Sequence, residues 1–332
     1  MFQELFRIPF TQLTVKSYGV MLVIGFLAAV YVIRRLSRNI TPDPQMITNA
    51  SLYFLVAGVV GARVFYVIHY FDTFRGDLLS VFAIWDGGLE LFGGILAAIT
   101  VIVLYMRYHK LPIRQYLDIL AIGLMFALAC GRIGCFFSGC CFGKPSDLPW
   151  AIRFPYGSDA YYSQVFPDEA RNRPRPQLEL PKDFFENVEK KGRLFTQLKP
   201  FDKLTSEQKE MVTSGPYRCL AVQPTQLYSS ANATALALLL YLFWKRSQKA
   251  RQSQSAKLFT KSGSTFALMF ILYGITRFFI EFLRDDNPFE YAWWTIYKGG
   301  TISQNLGIYM LLGGLLLMAI FQKLSPQSQS SK

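Results

Sequence analysis

The chain has 332 residues, of which 52% are hydrophobic, 16% are aromatic and only 17% are charged. This composition excludes an intrinsically disordered chain, a collagen-like fibre and a small disulfide-stabilised scaffold. The chain holds 35 basic and 22 acidic residues, so its formal net charge is +13. Because most basic residues lie between apolar blocks, where they orient a chain in a membrane and contact anionic headgroups, no nucleic-acid partner is expected.

Seven apolar blocks follow one another along the chain, and a helix that crosses a membrane needs roughly 20 mostly apolar residues. The pattern predicts an all-α membrane protein whose seven transmembrane helices form a single polytopic domain over residues 1–332. Gly58 and Gly61, and likewise Gly93 and Gly94, interrupt the blocks and allow helix backbones to pack closely. The predicted helices cover about 17–33, 47–69, 88–106, 116–136, 226–244, 264–283 and 302–321.

The distribution of basic residues predicts the orientation. The connections after the first, third and fifth blocks and the carboxyl-terminal tail together hold 14 lysines and arginines, whereas the amino-terminal segment and the other short connections hold five. Since basic loops stay in the cytoplasm, the N-terminus is predicted outside (periplasmic) and the C-terminus in the cytoplasm. Residues 144–222 then form a large extracytoplasmic insertion between helices 4 and 5, with short helices expected after Pro181 and after Thr205. The insertion is interpreted either as a surface elaboration or as an arm that helps to receive a substrate.

Three arginines, Arg63, Arg132 and Arg277, lie inside apolar blocks or at their ends. An ionised side chain in hydrocarbon is costly unless it faces a polar cavity or a partner. One nearby acid, Glu281, leaves a surplus of positive charge, which favours an anion. The arginine fork matches phosphate oxygens better than lysine does.

Tyr273, Arg277, Glu281 and Arg284 recur at helical spacing and are predicted to share one helix face. The structural alternative is an Arg277–Glu281 ion pair that only joins helices. The functional interpretation is an anion site in which Glu281 holds Arg277 in place.

A glycine-rich segment, residues 130–143, ends the fourth block and contains four glycines. Glycine allows the backbone to approach a ligand closely, and backbone N–H groups bind anions. Arg132 and Gly143 in this segment therefore predict an anion site near the outer leaflet.

Four of the five cysteines also lie in this segment, without any C-x-x-C pair. They are interpreted as buried apolar filler, as partners in a disulfide on the oxidising side, or as a reactive thiol or metal ligand. The cysteines are Cys130, Cys135, Cys140, Cys141 and Cys219.

These motifs, in this order among seven apolar blocks, resemble the bacterial prolipoprotein diacylglyceryl transferases. The resemblance covers nearly the whole chain apart from the insertion. The segments that carry it are Ser17–Met21, Gly61–Tyr66, Trp85–Leu89 with Gly93 and Gly94, Gly131–Gly143, Pro224–Tyr228, Tyr273–Arg284 and Thr301–Gln304.

The resemblance implies a multi-pass protein of the bacterial inner (cytoplasmic) membrane that acts at its outer face. Members of the family move the diacylglyceryl group of phosphatidylglycerol to the lipobox cysteine thiol of a prolipoprotein signal peptide. A thioether forms, glycerol phosphate leaves, and neither a metal nor a soluble cofactor is expected. The implied partners are thus phosphatidylglycerol, prolipoproteins and the membrane.

Fixed cations near the phosphate would stabilise both the donor lipid and the leaving group as charge moves from sulfur to phosphate oxygens. A positive site also lowers the pKa of an arriving thiol. The catalytic residues are predicted to be Arg132, Arg277 and Glu281. The residues predicted to bind phosphatidylglycerol are Arg132, Arg277, Tyr18, Arg63, Gly143, Arg284 and Gln304.

The sequence also departs from the family pattern. Phe92 and Cys135 stand where many relatives have histidine and asparagine, and Gln223 and Ser229 stand where some have histidine and glutamate. The general base is therefore open between Glu281, His69 and no dedicated base. Two further functions stay open: a catalytically impaired lipid-binding or lipid-transport homologue, and a thiol redox protein.

Overall fold

The computed structural model describes residues 4–7, 14–40, 43, 45–74, 78–82, 88–190, 193–253 and 259–324. Residues 85–87 of the third family motif lie outside the described residues. Within the chain, two compact units are distinguished. The first comprises Met1–Leu27, Leu124–Tyr241 and Ala267–Leu317, and the second comprises Ala28–Gly123, Leu242–Phe266 and Met318–Lys332.

Long helices dominate the described chain. Six of them are long and apolar enough to cross a membrane, so the prediction of a helical, multi-pass membrane protein is confirmed at that level. These six are α1 (Ser17–Ser37), α2 (Gln45–His69), α5 (Ile113–Ser138), α8 (Thr225–Gln252), α9 (Ser264–Glu281) and α10 (Ile302–Lys323).

The remaining apolar helix, α4 (Leu91–Tyr108), has 18 residues. At a rise of 1.5 Å per residue it is about 27 Å long, slightly less than a hydrocarbon core of about 30 Å. The seventh span therefore stays a prediction. A short helix, α3 (Phe71–Phe74), and a 3-10 turn, Leu78–Phe82, lie between α2 and α4.

In the second unit, α2 and α4 pack closely through glycine. A Cβ atom on Gly61 would lie 2.3 Å from the Cβ of Ala97, and one on Gly94 would lie 2.8 Å from the carbonyl oxygen of Gly58. These distances are too short for any side chain, so the predicted close approach at these glycines is confirmed.

A buried carboxylate, Asp118, links α5 to the start of α9 in the second unit. Its Oδ1 accepts hydrogen bonds from the backbone N–H groups of Thr265 (2.9 Å) and Phe266 (3.2 Å), and its Oδ2 accepts from Gly263 (3.0 Å). The Nη2 of Arg251 lies 3.5 Å from Oδ2. Asp118 thus satisfies the first N–H groups of a helix, where a negative charge also suits the helix dipole.

In the first unit, the segment between α5 and α8 has a core of its own, formed by residues such as Phe142, Phe154, Tyr161 and Val222. Its helices are α6 (Asp159–Val165) and α7 (Ser206–Thr213), and its hairpin joins β3 (Phe185–Lys190) to β4 (Arg193–Leu198). A second hairpin, β1 (Glu4–Arg7) with β2 (Thr14–Lys16), precedes α1.

One of the two short helices expected in this segment is present. The helix after Thr205 is confirmed, because α7 begins there with a capping box between Thr205 and Gln208. The prediction of a helix after Pro181 is wrong. A 3-10 turn, Lys182–Phe184, follows this proline, and the chain then continues into β3. Phe185 and Val188 favour a strand, and they pair across the hairpin with Leu198 and Phe195.

Candidate active site

The end of α9 carries an ion pair at helical spacing. The Nη1 of Arg277 lies 2.6 Å from the Oε2 of Glu281, and the Nε of Arg284 lies 3.7 Å from the same oxygen. Tyr273 interacts electrostatically with Arg277. The prediction that Arg284 shares the helix face is wrong, because α9 ends at Glu281 and Arg284 lies beyond it. The four residues nevertheless form one cluster, because the side chain of Arg284 still reaches Glu281.

The start of α10 holds this ion pair in place. Glu281, whose side chain has no exposed surface, accepts a hydrogen bond at Oε1 from the hydroxyl of Thr301 (2.8 Å) and a close one from the amide of Asn287. The Nη2 of Arg277 donates to the hydroxyl of Ser303 at 2.6 Å. Both oxygens of Glu281 are thus engaged.

Arg284 has its own carboxylate partner. Its Nε and Nη2 donate to the two oxygens of Asp286 at 2.8 and 2.6 Å, which is the bidentate arrangement that arginine favours. Although burial opposes the charged form, the hydrogen bonds and the charge of Asp286 raise the pKa of Arg284.

Arg132, near the end of α5, completes a group of three arginines. It interacts electrostatically with Arg284 and Arg277, and Arg277 and Arg284 interact with each other. Within the described part of the chain, no hydrogen-bond acceptor or carboxylate pairs with the guanidinium group of Arg132. Three arginines face two carboxylates, Glu281 and Asp286, so the surplus positive charge lies on Arg132.

Tyr18, in the first turn of α1, lies beside this cluster. A Cβ atom on Gly134 would lie 3.2 Å from the Tyr18 ring and 3.1 Å from the Cβ of Met21, so α1 and α5 are in contact there. Tyr18 is 40% exposed and interacts electrostatically with Arg132.

Gly143 allows two chain segments to approach each other closely. Its N–H donates to the carbonyl of Gln223 at 3.0 Å, and the N–H of Lys144 donates to the carbonyl of Leu283 at 2.9 Å. A Cβ atom at Gly143 would lie 2.6 Å from the Gln223 oxygen. The N–H of Gly143, which was predicted to be available to a ligand, is therefore used within the fold, and the glycine positions the segment that carries Arg284.

Gln304 forms a capping box with Thr301 at the start of α10. Its Oε1 accepts from the N–H of Thr301 at 2.9 Å, and the Thr301 hydroxyl accepts from the N–H of Gln304 at 3.3 Å. Its side-chain oxygen is thus engaged in the fold and supports the helix end that carries Ser303.

Arg63 belongs to the second unit. Its Nε and Nη2 donate to the carbonyls of Val81 and Ser80, both at 2.7 Å, and its Nη1 donates to the carbonyl of Gly88 at 3.0 Å. His69, considered above as a base, lies in the same unit with its Nδ1 3.4 Å from a carboxylate oxygen of Glu90.

Known proteins resemble this chain over nearly its whole length. A family model described as prolipoprotein diacylglyceryl transferase matches residues 3–320.

The chain belongs to this family.

Relatives named phosphatidylglycerol–prolipoprotein diacylglyceryl transferase include those of Methylococcus capsulatus, 36% identical over 157 residues, and Thermosynechococcus vestitus, 30% identical over 161 residues. Each of these matches covers 46% of the chain and 60% of the relative, so the chain spans less than two thirds of their length. The relative of the same name from Xanthomonas oryzae pv. oryzae is 26% identical over 314 residues, which are 93% of the chain and 88% of the relative.

Cys135 belongs to a cluster of three thiols. The sulfur atoms of Cys135, Cys140 and Cys141 all lie within 4.8 Å of one another. Hydrogen bonds with the thiols of Cys135 and Cys140, helped by the charges of Arg284 and Arg132, lower the pKa of Cys141. The disulfide interpretation is not supported, because all five cysteines are free.

Cys219 lies elsewhere in the first unit and differs chemically from this cluster. It is 2% exposed in the core of the segment between α5 and α8, and its thiol donates to the side-chain oxygen of Gln164 at 3.4 Å. Burial raises the pKa of Cys219 to about 11, so this thiol is inert at neutral pH.

Several residues that build the site were missed from the sequence. Asp286 pairs with Arg284, and the hydroxyl of Thr225 and the amide of Gln226 donate to the carbonyls of Cys141 (2.8 Å) and Cys140 (2.7 Å). Thr225 and Gln226 lie in the Pro224–Tyr228 family motif at the start of an apolar helix, and polar residues at such a position were the available signal.

Proposed function

We propose that the protein transfers the diacylglyceryl group of phosphatidylglycerol to the lipobox cysteine of prolipoproteins, with formation of a thioether and release of glycerol phosphate. Arg132 carries the proposal, because it brings an unpaired positive charge to a cluster that already contains Arg277 and Arg284. The phosphodiester of phosphatidylglycerol has one negative charge, which matches the single surplus charge of the cluster.

The arginine cluster suits the charge movement of this reaction. The substrate sulfur attacks a saturated glyceryl carbon, the bond from that carbon to the phosphate oxygen breaks, and negative charge accumulates on the departing phosphate. Arg132 and Arg277 stabilise that charge without further reorganisation, because Glu281 and Ser303 already hold Arg277 in place. In this proposal Arg132 and Arg277 contact the phosphate, and Glu281 positions Arg277.

The other predicted lipid-binding residues differ in their surroundings. Tyr18 lies beside Arg132 with an exposed ring and is proposed to contact the headgroup. Gly143, Arg284 and Gln304 are proposed to support the binding site through the contacts described above. Arg63 remains a proposed lipid contact that is held by backbone carbonyls.

The geometry favours thiol activation without a dedicated base. Glu281 already accepts hydrogen bonds from Thr301 and Asn287 and pairs with Arg277. The positive cluster lowers the pKa of an arriving thiol and so raises its thiolate fraction.

We further propose the membrane arrangement that the basic residues predict. In it, α4 is a seventh span, the N-terminus is periplasmic, the C-terminus is cytoplasmic, and residues 144–222 form an extracytoplasmic arm in the bacterial inner membrane. The arm contacts the end of α9 through Arg173, whose Nη1 donates to Asp285 at 2.8 Å. This contact supports a role for the arm beside the phosphate site.

The test is thioether formation by purified protein in vesicles of phosphatidylglycerol with a lipobox peptide, followed by mass spectrometry. We expect product with the wild type and loss of product with Arg132→Ala. Arg218→Ala, which removes an exposed arginine from the same unit, is the matched control. Lipid binding without any thioether product in the wild type would instead indicate a homologue that has lost catalysis.

A further inference from the structure

The thiols of Cys135, Cys140 and Cys141 form a group of soft ligands that the proposed transfer does not use. Their sulfur atoms all lie within 4.8 Å of one another. Sulfur atoms bound to one tetrahedral zinc ion at 2.3 Å are about 3.8 Å apart. Small side-chain rotations would therefore bring all three sulfurs to coordination distance.

The backbone of Cys141 is held in a costly conformation. Its φ is 59°, in the left-handed region that is uncommon for residues other than glycine. Strain of this kind persists where the surrounding structure requires it, and it concentrates at binding and catalytic sites. Glycine would relieve the strain but would remove one of the three sulfurs.

Hydrogen bonds from α8 hold the turn that carries these thiols. The hydroxyl of Thr225 donates to the carbonyl of Cys141 at 2.8 Å, and the amide of Gln226 donates to the carbonyl of Cys140 at 2.7 Å. Thr225 and Gln226 are both fully buried. Partners outside the ligand set that fix the ligands are a common feature of metal sites.

A cleft with a volume of about 440 Å³ gives access to the cluster. Cys140 and Cys141 form part of its wall together with Asp159 and Asp286. Asp286 is already paired with Arg284, so Asp159 supplies the negative charge on this wall that attracts a cation to the thiols.

We propose that Cys135, Cys140 and Cys141 bind a thiophilic d10 cation, Zn²⁺, through three thiolates, with the fourth coordination position open to the cleft. Three protein ligands with one open position are typical of zinc sites that bind a substrate. In the second half of the inference, which rests on the proposed function, the fourth position takes the thiol of the incoming cysteine peptide. A metal–sulfur bond replaces a metal–water bond, the S–H proton passes to solvent, and nothing is oxidised.

The first test measures zinc in full-length protein purified without a histidine tag and with a phosphine reductant. We expect one zinc ion per chain, and its loss in Cys135→Ser, Cys140→Ser and Cys141→Ser. Cys130→Ser and Cys219→Ser are matched controls, because these cysteines lie outside the cluster, and they should retain the metal. Wild-type protein that binds no zinc, or equal loss of zinc in the controls, would overturn the site.

The second test uses Co²⁺ in the wild-type protein, so it does not depend on the folding of a variant. We expect thiolate-to-cobalt charge-transfer absorption that changes on addition of a lipobox peptide with cysteine but not of the same peptide with serine. Equal responses to the two peptides would refute the assignment of the fourth position.

The two proposals fail in distinguishable ways. Full-rate thioether formation by protein that binds no metal would refute the metal site and leave the proposed transfer intact. Stoichiometric zinc in a protein that makes no thioether would refute the proposed transfer. It would also refute the binding of the substrate thiol at the fourth position. The three-thiolate zinc site would still stand.

Discussion

Asp118 and Glu281 are both buried carboxylates near arginines, but their surroundings differ. Asp118 accepts hydrogen bonds from three backbone N–H groups at the start of α9 and lies 3.5 Å from the Nη2 of Arg251. Glu281 lies in a cluster of three arginines, of which Arg132 has no partner among the described residues.

The distribution of hydrogen-bond donors and cations distinguishes the structural site at Asp118 from the proposed binding site at Glu281. At Asp118 the donors converge on one acid, and both of its oxygens are used to fix the start of a helix. At Glu281 the cations exceed the acids, so a fixed donor set remains for an incoming anion. Buried charge is costly without a partner, which makes such a surplus a better indicator of ligand binding than an ion pair alone.

The largest effect on stability is expected from Asp118→Ala. Removal of one partner of a buried pair costs about 3–5 kcal/mol, and here three backbone N–H groups at the start of α9 also lose their acceptor.

Arg132→Ala should affect activity instead of stability. We expect an almost unchanged midpoint of unfolding and a loss of transfer of about 10²–10³-fold. Thermal unfolding in detergent and the vesicle assay measure the two quantities, and an unfolding midpoint that falls equally in both variants would contradict the distinction.

Glu281→Gln should give an intermediate result, because it keeps the shape of the side chain but removes the charge that holds Arg277. Hydrogen bonds to charged groups contribute about 1.5–3 kcal/mol, so transfer should fall by roughly tenfold or more and stability should fall as well. Glu207→Gln, in α7 on the surface, is a control for the loss of a carboxylate. Normal transfer by Glu281→Gln would show that Glu281 does not position Arg277.

Gly143→Ala tests whether the close approach of the chain at Gly143 to the segment that carries Gln223 is needed. The added Cβ would lie 2.6 Å from a backbone oxygen of Gln223, and overpacking of this kind costs about 1–3 kcal/mol. Gly313→Ala is the matched control, since a Cβ there has nothing within 4 Å. If the two variants unfold at the same temperature, the close contact at Gly143 is not under strain.

The smallest effect is expected from Gln304→Ala. Loss of half of a capping box should cost about 0.5–2 kcal/mol, with little change in transfer, because the Gln304 oxygen bonds to the start of its own helix. Unfolding and the Michaelis constant for phosphatidylglycerol are the measurements. A large rise in that constant with unchanged stability would instead show that Gln304 binds the headgroup.

The sequence by itself determined the features that depend on local periodicity. Apolar blocks of sufficient length specify helices, and the four-residue spacing of Arg277 and Glu281 places them on one face of any helix. The glycines of α2 and α4 likewise indicated close packing, because they leave no side chain between two backbones.

Only the tertiary structure decided which charges are paired. Whether Arg132 keeps a free guanidinium group beside Arg277 and Arg284 depends on the approach of segments more than one hundred residues apart. The same holds for Asp118, which meets Thr265 across 147 positions of sequence. Periodicity reports only the face of a helix, whereas electrostatic energy depends on distance in space, so the site emerged from the fold.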